Sequence, residues 1–129
     1  MTLCSRLKGV YHCIRKGISL RAVITCDIPF DRIPRSTIIP HPIGIVISEG
    51  TTIGENCTIR QNVTIGRRSQ NNPTLLPFHG NCIGNNVDIG AGSMILGENI
   101  HIGNNVRIGA GAIVLRSVPE GTTVIGVWK

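Results

Sequence analysis

The chain has 129 residues and a formal net charge of +6, and 41% of its residues are hydrophobic although only 3% are aromatic. This length suits a single domain, whose core must consist of packed aliphatic side chains because aromatic rings are scarce. The 16 glycines follow no Gly-X-Y period, which excludes collagen. The positive charge suits an anionic partner, but no stacking aromatics alternate with the basic residues, which argues against nucleic acid.

The N-terminal residues 1–25 predict a helical cap. Leu7, Val10, Ile14 and Ile18 recur at helical spacing, and the arginines and lysines near them are available for a polar face. We expect this helix to cover the first coil of the domain that follows. Contact of its basic face with a membrane surface is the alternative.

The cysteines and the hydropathy pattern bear on where the protein works. The five cysteines include no C-x-x-C pair, which argues for reduced thiols and against a disulfide framework or a zinc site. No apolar run reaches the length of a membrane span, and charges interrupt any signal-peptide core. We therefore expect a cytoplasmic protein.

A six-residue period runs through the rest of the chain, residues 26–129. Aliphatic residues recur in phase at Ile53, Ile59, Ile65, Ile83, Ile89, Ile95, Ile102, Ile108 and Val114. Each hexad predicts a short strand whose aliphatic residue points inward, followed by a turn that glycine or asparagine accommodates. Three strands would make one coil, and coils would stack by parallel pairing about 4.8 Å apart. The period therefore predicts an all-β, parallel β-helix; an antiparallel sandwich with regular turns is the alternative.

Residues 67–82, RRSQNNPTLLPFHGNC, interrupt this period. The segment is polar and contains two prolines, so it predicts a loop extruded from the coil. Loops on a rigid scaffold often carry function, and this one ends near a histidine, His79.

A second histidine, His41, lies between two prolines in IIPHPIGIVISEG, residues 38–50. Counted back from Ile47, His41 falls at an inward aliphatic position. Either the period breaks at the prolines, or the ring is partly buried. Imidazole titrates near neutral pH and suits the removal of a hydroxyl proton, and the proline frame would restrict its backbone.

These motifs together resemble the hexapeptide-repeat acyltransferases, and most closely the serine acetyltransferases and short polysaccharide O-acetyltransferases. The matching segments are His41 with Gly44–Ile47 and Glu49, VTIG at 63–66, His79, IGAG at 89–92 and 108–111, and VPEGTTVIGV at 118–127. The resemblance covers about residues 27–127. It implies a left-handed β-helix, whereas the general preference for right-handed crossovers would have favoured the opposite hand.

The resemblance also implies a site and its substrates. His41 would be the general base, Asp27 its orienting partner, and His79 a group acting on substrate or transition state, facing His41 across subunits of a homotrimer. Acetyl-CoA would be the donor, and no metal is expected. The pantetheine arm of acetyl-CoA would lie along the small turns formed by Gly90, Ala91, Gly92, Gly109, Ala110 and Gly111. Its phosphates would lie near Arg107 and Arg116. Arg67, Arg68 and Phe78 would contact substrate.

Two departures from serine acetyltransferases bear on the acceptor. Those enzymes resemble this chain but carry an aspartate before the base and an arginine before the second histidine, where Pro40 and Phe78 stand here. Because unpaired charges are costly in a closed site, the sequence favours a neutral acceptor, a sugar hydroxyl of a surface polysaccharide or its precursor. Serine O-acetylation is one alternative, and a catalytically silent trimeric scaffold is another. A zinc-dependent carbonic anhydrase of the same fold would need two histidines five residues apart, which the chain lacks.

Overall fold

A computed structural model describes residues 32–68 and 79–129 of the chain. The predicted N-terminal helix, Asp27, Phe78 and most of the predicted loop lie outside these residues. In the described part no α-helix occurs, and no helix there could cross a membrane.

The described residues form twelve strands of two or three residues each. They are β1 Val46–Ile47, β2 Thr52–Ile53, β3 Thr58–Ile59, β4 Thr64–Gly66, β5 Cys82–Ile83, β6 Asp88–Ile89, β7 Met94–Leu96, β8 His101–Ile102, β9 Arg107–Ile108, β10 Ile113–Val114, β11 Thr123–Val124 and β12 Val127–Trp128. Every pairing between them is parallel. The period of six therefore does produce short strands that pair across coils, and the antiparallel alternative is wrong.

Successive strands belong to three different sheets, so the coil is three-sided. Face 1 holds β1, β4, β7, β10 and β12, face 2 holds β2, β5 and β8, and face 3 holds β3, β6, β9 and β11. We call the bend before the strands of face 1 corner 1, and likewise corners 2 and 3. Corner 1 thus joins faces 3 and 1, and corner 2 joins faces 1 and 2.

The core is a stack of aliphatic side chains inside this prism. All nine aliphatic residues of the period are buried, and Ile47 and Val124 extend the same rows. A second inward row is provided two residues before the strand aliphatics, for example by Cys57, Val63 and Val87. No single coil could bury these faces, so stacking of coils creates the core.

Asparagines build corner 3, as their turn propensity predicts. Asn86 and Asn105 adopt left-handed φ angles of 55° and 58°. The residue before each of them links adjacent coils: Asn85 Oδ1 accepts a hydrogen bond from Glu55 N at 2.8 Å, and Asn104 Oδ1 accepts one from Asn85 N at 2.8 Å. Each Asn-Asn pair therefore supplies one turn residue and one rung of a side-chain ladder.

The strand register shows where the second coil is longer than the first. Ile47 pairs with Ile65, 18 residues later, but Ile53 pairs with Ile83, 30 residues later. The twelve additional residues enter between β4 and β5, at corner 2, where the sequence predicts the loop. Its return is earlier than the predicted end at 82, because Asn81 is buried and Cys82 belongs to β5.

Candidate functional site

His41 lies on an enlarged corner 1 of the first coil. Ile38 bridges to Thr58, which places Ile39 level with Ile59. Ile47 comes eight residues after Ile39, whereas one coil later Ile65 comes only six residues after Ile59. His41 is in this longer bend and is exposed. The period therefore breaks at the prolines, and the ring is not buried.

Hydrogen bonds hold the backbone around His41. Ile43 N donates to His41 O at 2.8 Å, which closes a three-residue turn. Ile43 O in turn accepts from Asn62 N of the next coil at 2.9 Å. The turn that presents the imidazole is thus attached directly to the stacked coils.

His79 lies at corner 2, where the loop rejoins the coil, and it is also exposed. Its backbone N donates to Asn99 Oδ1 of the following coil at 2.9 Å. On the other side the backbones of Gly50 and Gly80 touch, since a Cβ on Gly80 would lie 2.0 Å from Gly50 O. His79 is therefore held between two coils by this hydrogen bond on one side and by the close packing of Gly80 against Gly50 on the other. Gly50 and Asn99 were not predicted as site residues, although each stands three residues before a strand aliphatic, the usual place of a corner residue.

Within one chain the two histidines do not meet. His41 is on corner 1 and His79 is on corner 2, and face 1 separates these corners. If both act on one substrate, they must come from two copies of the chain.

The outer surface of face 1 is an apolar strip. Strand pairing aligns Val46, Thr64, Met94, Ile113 and Val127 in one row across five strands. Val46, Met94 and Val127 are 42%, 41% and 57% exposed. Contiguous exposed apolar side chains of this kind mark interaction surfaces.

The predicted donor residues lie mainly on corner 1, below His41. Ala91 and Ala110 are two and three coils further along this corner, and Gly111 N donates to Ala91 O at 2.9 Å. A Cβ on Gly92 or Gly111 would meet nothing within 4 Å, so an extended ligand can approach the backbone there.

Gly90 and Gly109 have a different reason to be glycine. A Cβ on Gly90 would lie 2.5 Å from Ala110 N, and one on Gly109 would lie 3.1 Å from Val124 O. Close stacking of coils therefore accounts for both, independently of a ligand.

The predicted arginines are dispersed. Arg107 is exposed on face 3, aligned with Asp88 of the neighbouring strand, and Arg116 stacks on Trp128 with its guanidinium carbon 5.3 Å from the ring centre. Arg67 is half-buried and Arg68 is exposed, both directly after β4 at corner 2. Of these four arginines, only Arg67 and Arg68 lie near the base of the loop. Among the described residues no group of three or more histidine, cysteine, aspartate or glutamate side chains could hold a metal ion.

No protein-family model matches the chain, but individual proteins do. It is 48% identical over 99 residues to a serine acetyltransferase of Staphylococcus epidermidis and 44% identical over 103 residues to one of Synechococcus elongatus. Each alignment covers 77% of this chain, but only 44% and 38% of the relative. The chain thus spans less than half the length of these curated relatives.

Solved structures give the same result. The serine acetyltransferase of Neisseria gonorrhoeae in complex with serine superposes with a TM-score of 0.58 at 32% identity, and the soybean apoenzyme with 0.59 at 34%. Each covers 81% of this chain, and the chain covers 41% of each. This similarity confirms the left-handed parallel β-helix expected from the sequence.

Proposed function

We propose that this chain, which belongs to the serine acetyltransferase-like group of hexapeptide-repeat acyltransferases, transfers acetyl groups from acetyl-CoA to a hydroxyl. One observation carries the proposal. The exposed His41 stands on the corner that also bears the two open Gly-Ala-Gly turns. At about 4.8 Å per coil these turns are roughly 10 and 14 Å from the histidine along the axis. An extended thioester lying on this corner would bring its acyl group to the imidazole.

The reaction needs one base and a positioned donor. An imidazole nitrogen of His41 removes the proton of the acceptor hydroxyl while the oxygen attacks the thioester carbonyl carbon. The tetrahedral intermediate then collapses, the carbon–sulfur bond breaks, and the imidazolium returns its proton to the leaving thiolate. The products are an acetyl ester and free coenzyme A. Asp27 is the proposed partner that orients the imidazole.

The active unit in this proposal is a homotrimer. If the apolar strip of face 1 turns toward a threefold axis, corner 1 of each subunit meets corner 2 of its neighbour. His41 then faces His79 of the neighbouring subunit. Their offset along the axis is between one and one and a half coils, about 5–7 Å, which leaves space for a small acceptor between the rings.

L-Serine is the first candidate acceptor. The relatives that match this chain carry the name serine acetyltransferase, and one of the similar structures holds serine. Since acetyl-CoA is available in the cytoplasm, we also propose that the protein acts there.

A sugar hydroxyl is the second candidate, and Pro40 favours it. This residue is exposed beside His41 and carries no charge where the resemblance places an aspartate. A serine ammonium would have to find another partner, because leaving it unpaired in a closed site is costly. A neutral hydroxyl acceptor needs no such partner.

The test is thiol release from acetyl-CoA with L-serine and a panel of sugars as parallel acceptors. His41→Ala should lower kcat by roughly 10²- to 10⁴-fold while the Kd of acetyl-CoA stays constant. His101→Ala is the matched control, because His101 is also exposed but lies on the outer surface of face 2.

Each outcome decides between the candidates. Turnover with serine alone would select the first acceptor, and turnover with a sugar alone would select the second. Acetyl-CoA binding without turnover, or activity unchanged in His41→Ala, would refute the catalytic role of His41. Failure to bind acetyl-CoA would favour the silent scaffold.

A further inference from the structure

Glu98 lies in a bend that is one residue longer than a regular hexad. Ile89 and Ile95 are six residues apart, but Ile95 and Ile102 are seven apart. Asn99, with φ of 56°, occupies the corner position, and Ile100 points inward and is 3% exposed. The added residue therefore falls before Asn99, in the segment that ends with Glu98.

This bend packs against the base of the loop that carries His79. Ile83 pairs with Ile102, and His79 and Glu98 each stand four residues before these partners. Two hydrogen bonds fix the register between them: His79 N donates to Asn99 Oδ1 at 2.9 Å, and Ile100 N donates to Asn81 Oδ1 at 2.9 Å. Stacked positions are about 4.8 Å apart, a separation that glutamate and histidine side chains bridge readily.

The carboxylate of Glu98 has an unused oxygen. Its Oε1 is buried and accepts no hydrogen bond from any described residue. A buried acceptor without a donor is costly, so native proteins rarely keep one. The imidazole of His79 is a suitable donor at the stacked position. Arg67 lies at the same corner and is the competing donor, since its Nε is buried there too.

We propose that Glu98 is a positioning residue for His79. The bond is not made in this structure; rotation of the Glu98 and His79 side chains toward each other lets Oε1 accept a hydrogen bond from one ring N–H, which fixes the tautomer and presents the other ring nitrogen to the acceptor. The presentation to an acceptor rests on the proposed function, whereas the hydrogen bond between the two side chains does not. Glu98 is not predicted by the resemblance, and the sequence signal for it is the additional residue between two otherwise regular hexads.

Nitrogen-15 NMR of the His79 ring tests the hydrogen bond without any substrate. At alkaline pH the His79 ring of the wild type should show one dominant tautomer. Glu98→Ala should give a mixture of both tautomers, while Glu98→Gln, which retains an acceptor oxygen, should keep most of the preference. Glu120→Gln is the control for charge, since Glu120 is exposed on corner 3. An unchanged tautomer in Glu98→Ala would overturn the proposal, and so would an equal change in Glu120→Gln.

Kinetics then separate positioning from a general loss of structure. Glu98→Ala should raise the KM of the acceptor about 10-fold, the scale of a lost hydrogen bond to a charged group, and leave the KM of acetyl-CoA within about 2-fold. Equal increases in both KM values would indicate structural damage and contradict a positioning role. If no acceptor reacts at all, the proposed function fails, yet the tautomer measurement still decides the inference.

Discussion

Replacement of Gly80 by alanine tests how rigidly corner 2 holds His79. Gly80 has φ of +108°, and the new Cβ would lie 2.0 Å from Gly50 O and 2.8 Å from Thr51 N. Both contacts are backbone atoms, so one coil must move by more than 1 Å relative to the other. Gly121 is the matched control, because it also has a positive φ, +71°, but a Cβ there would meet nothing within 4 Å.

The two substitutions should differ in size. Alanine at position 121 incurs only the cost of a left-handed backbone, about 1–2 kcal/mol, offset in part by the lower entropy of the unfolded chain. Alanine at position 80 adds the displacement of a packed coil, so we expect a total of about 3–4 kcal/mol. Because His79 moves with this corner, kcat/KM should also fall by about 10²-fold.

Urea unfolding at one fixed protein concentration measures the free-energy difference, since stability of an oligomer depends on concentration. Acetyl transfer measured on the same preparations gives the effect on activity. Gly121→Ala should retain the wild-type kcat/KM. Equal loss of stability in the two variants would show that the contact between the Gly50 and Gly80 backbones is not a rigid constraint, and the account of His79 placement would be refuted.

Four further predictions concern the β-helix itself. Ile65→Ala should lower the free energy of unfolding by about 3–5 kcal/mol, because this fully buried side chain is stacked between two coils; a loss under about 1 kcal/mol would contradict that packing. Burial raises the pKa of the Cys57 thiol, so the folded state favours its protonated form. The free energy of unfolding should therefore be constant below the ordinary thiol pKa, about 9.0, and fall as the pH rises above it. Cys57→Val should reduce this fall. At neutral pH iodoacetamide should modify the half-exposed Cys82 before Cys57, as mapped by peptide mass spectrometry. Asp88→Asn should change stability by less than about 1 kcal/mol, since its ion pair with Arg60 is roughly 40% exposed on both sides.

The period of six predicts the inward rows well but not where an added residue falls within a bend. In a regular hexad the second inward residue stands four residues after a strand aliphatic, as Cys57 does after Ile53. The same count from Ile95 places Asn99 inside the coil. The structure instead places Ile100 inside and Asn99 on the corner. Counting alone cannot locate an additional residue between two aliphatic positions. The apolar character of Ile100 beside the polar Asn99 was the available signal, because only one of them can be buried without a hydrogen-bonding cost.

The environment of His41 was undecided for a similar reason. Its position in the six-residue period suggests a buried ring, whereas the flanking prolines suggest that the period breaks there. The local sequence supports both expectations equally. Pairing between coils decides the matter, because the bridge from Ile38 to Thr58 leaves two residues more than a regular bend requires. That information lies in a contact between residues 20 apart and not in the local sequence.

The departures from the period coincide with the candidate site, and the geometry of a β-helix explains why. Inward positions must be aliphatic and strand positions must pair, so a regular hexad has little freedom to present a polar side chain. An insertion at a corner leaves the pairing on both sides unchanged, as the alignment of Cys82 with both Thr52 and His101 shows for the longest of them. His41, His79 and Glu98 all lie in such insertions, while the open turns at Gly92 and Gly111 belong to regular hexads. We therefore expect the choice of acceptor to depend on the inserted residues, and binding of the donor to depend on the regular coil. Exchange of the 67–80 segment between relatives with different acceptors tests this expectation. Acceptor preference should follow the segment, and the Kd of acetyl-CoA should not change.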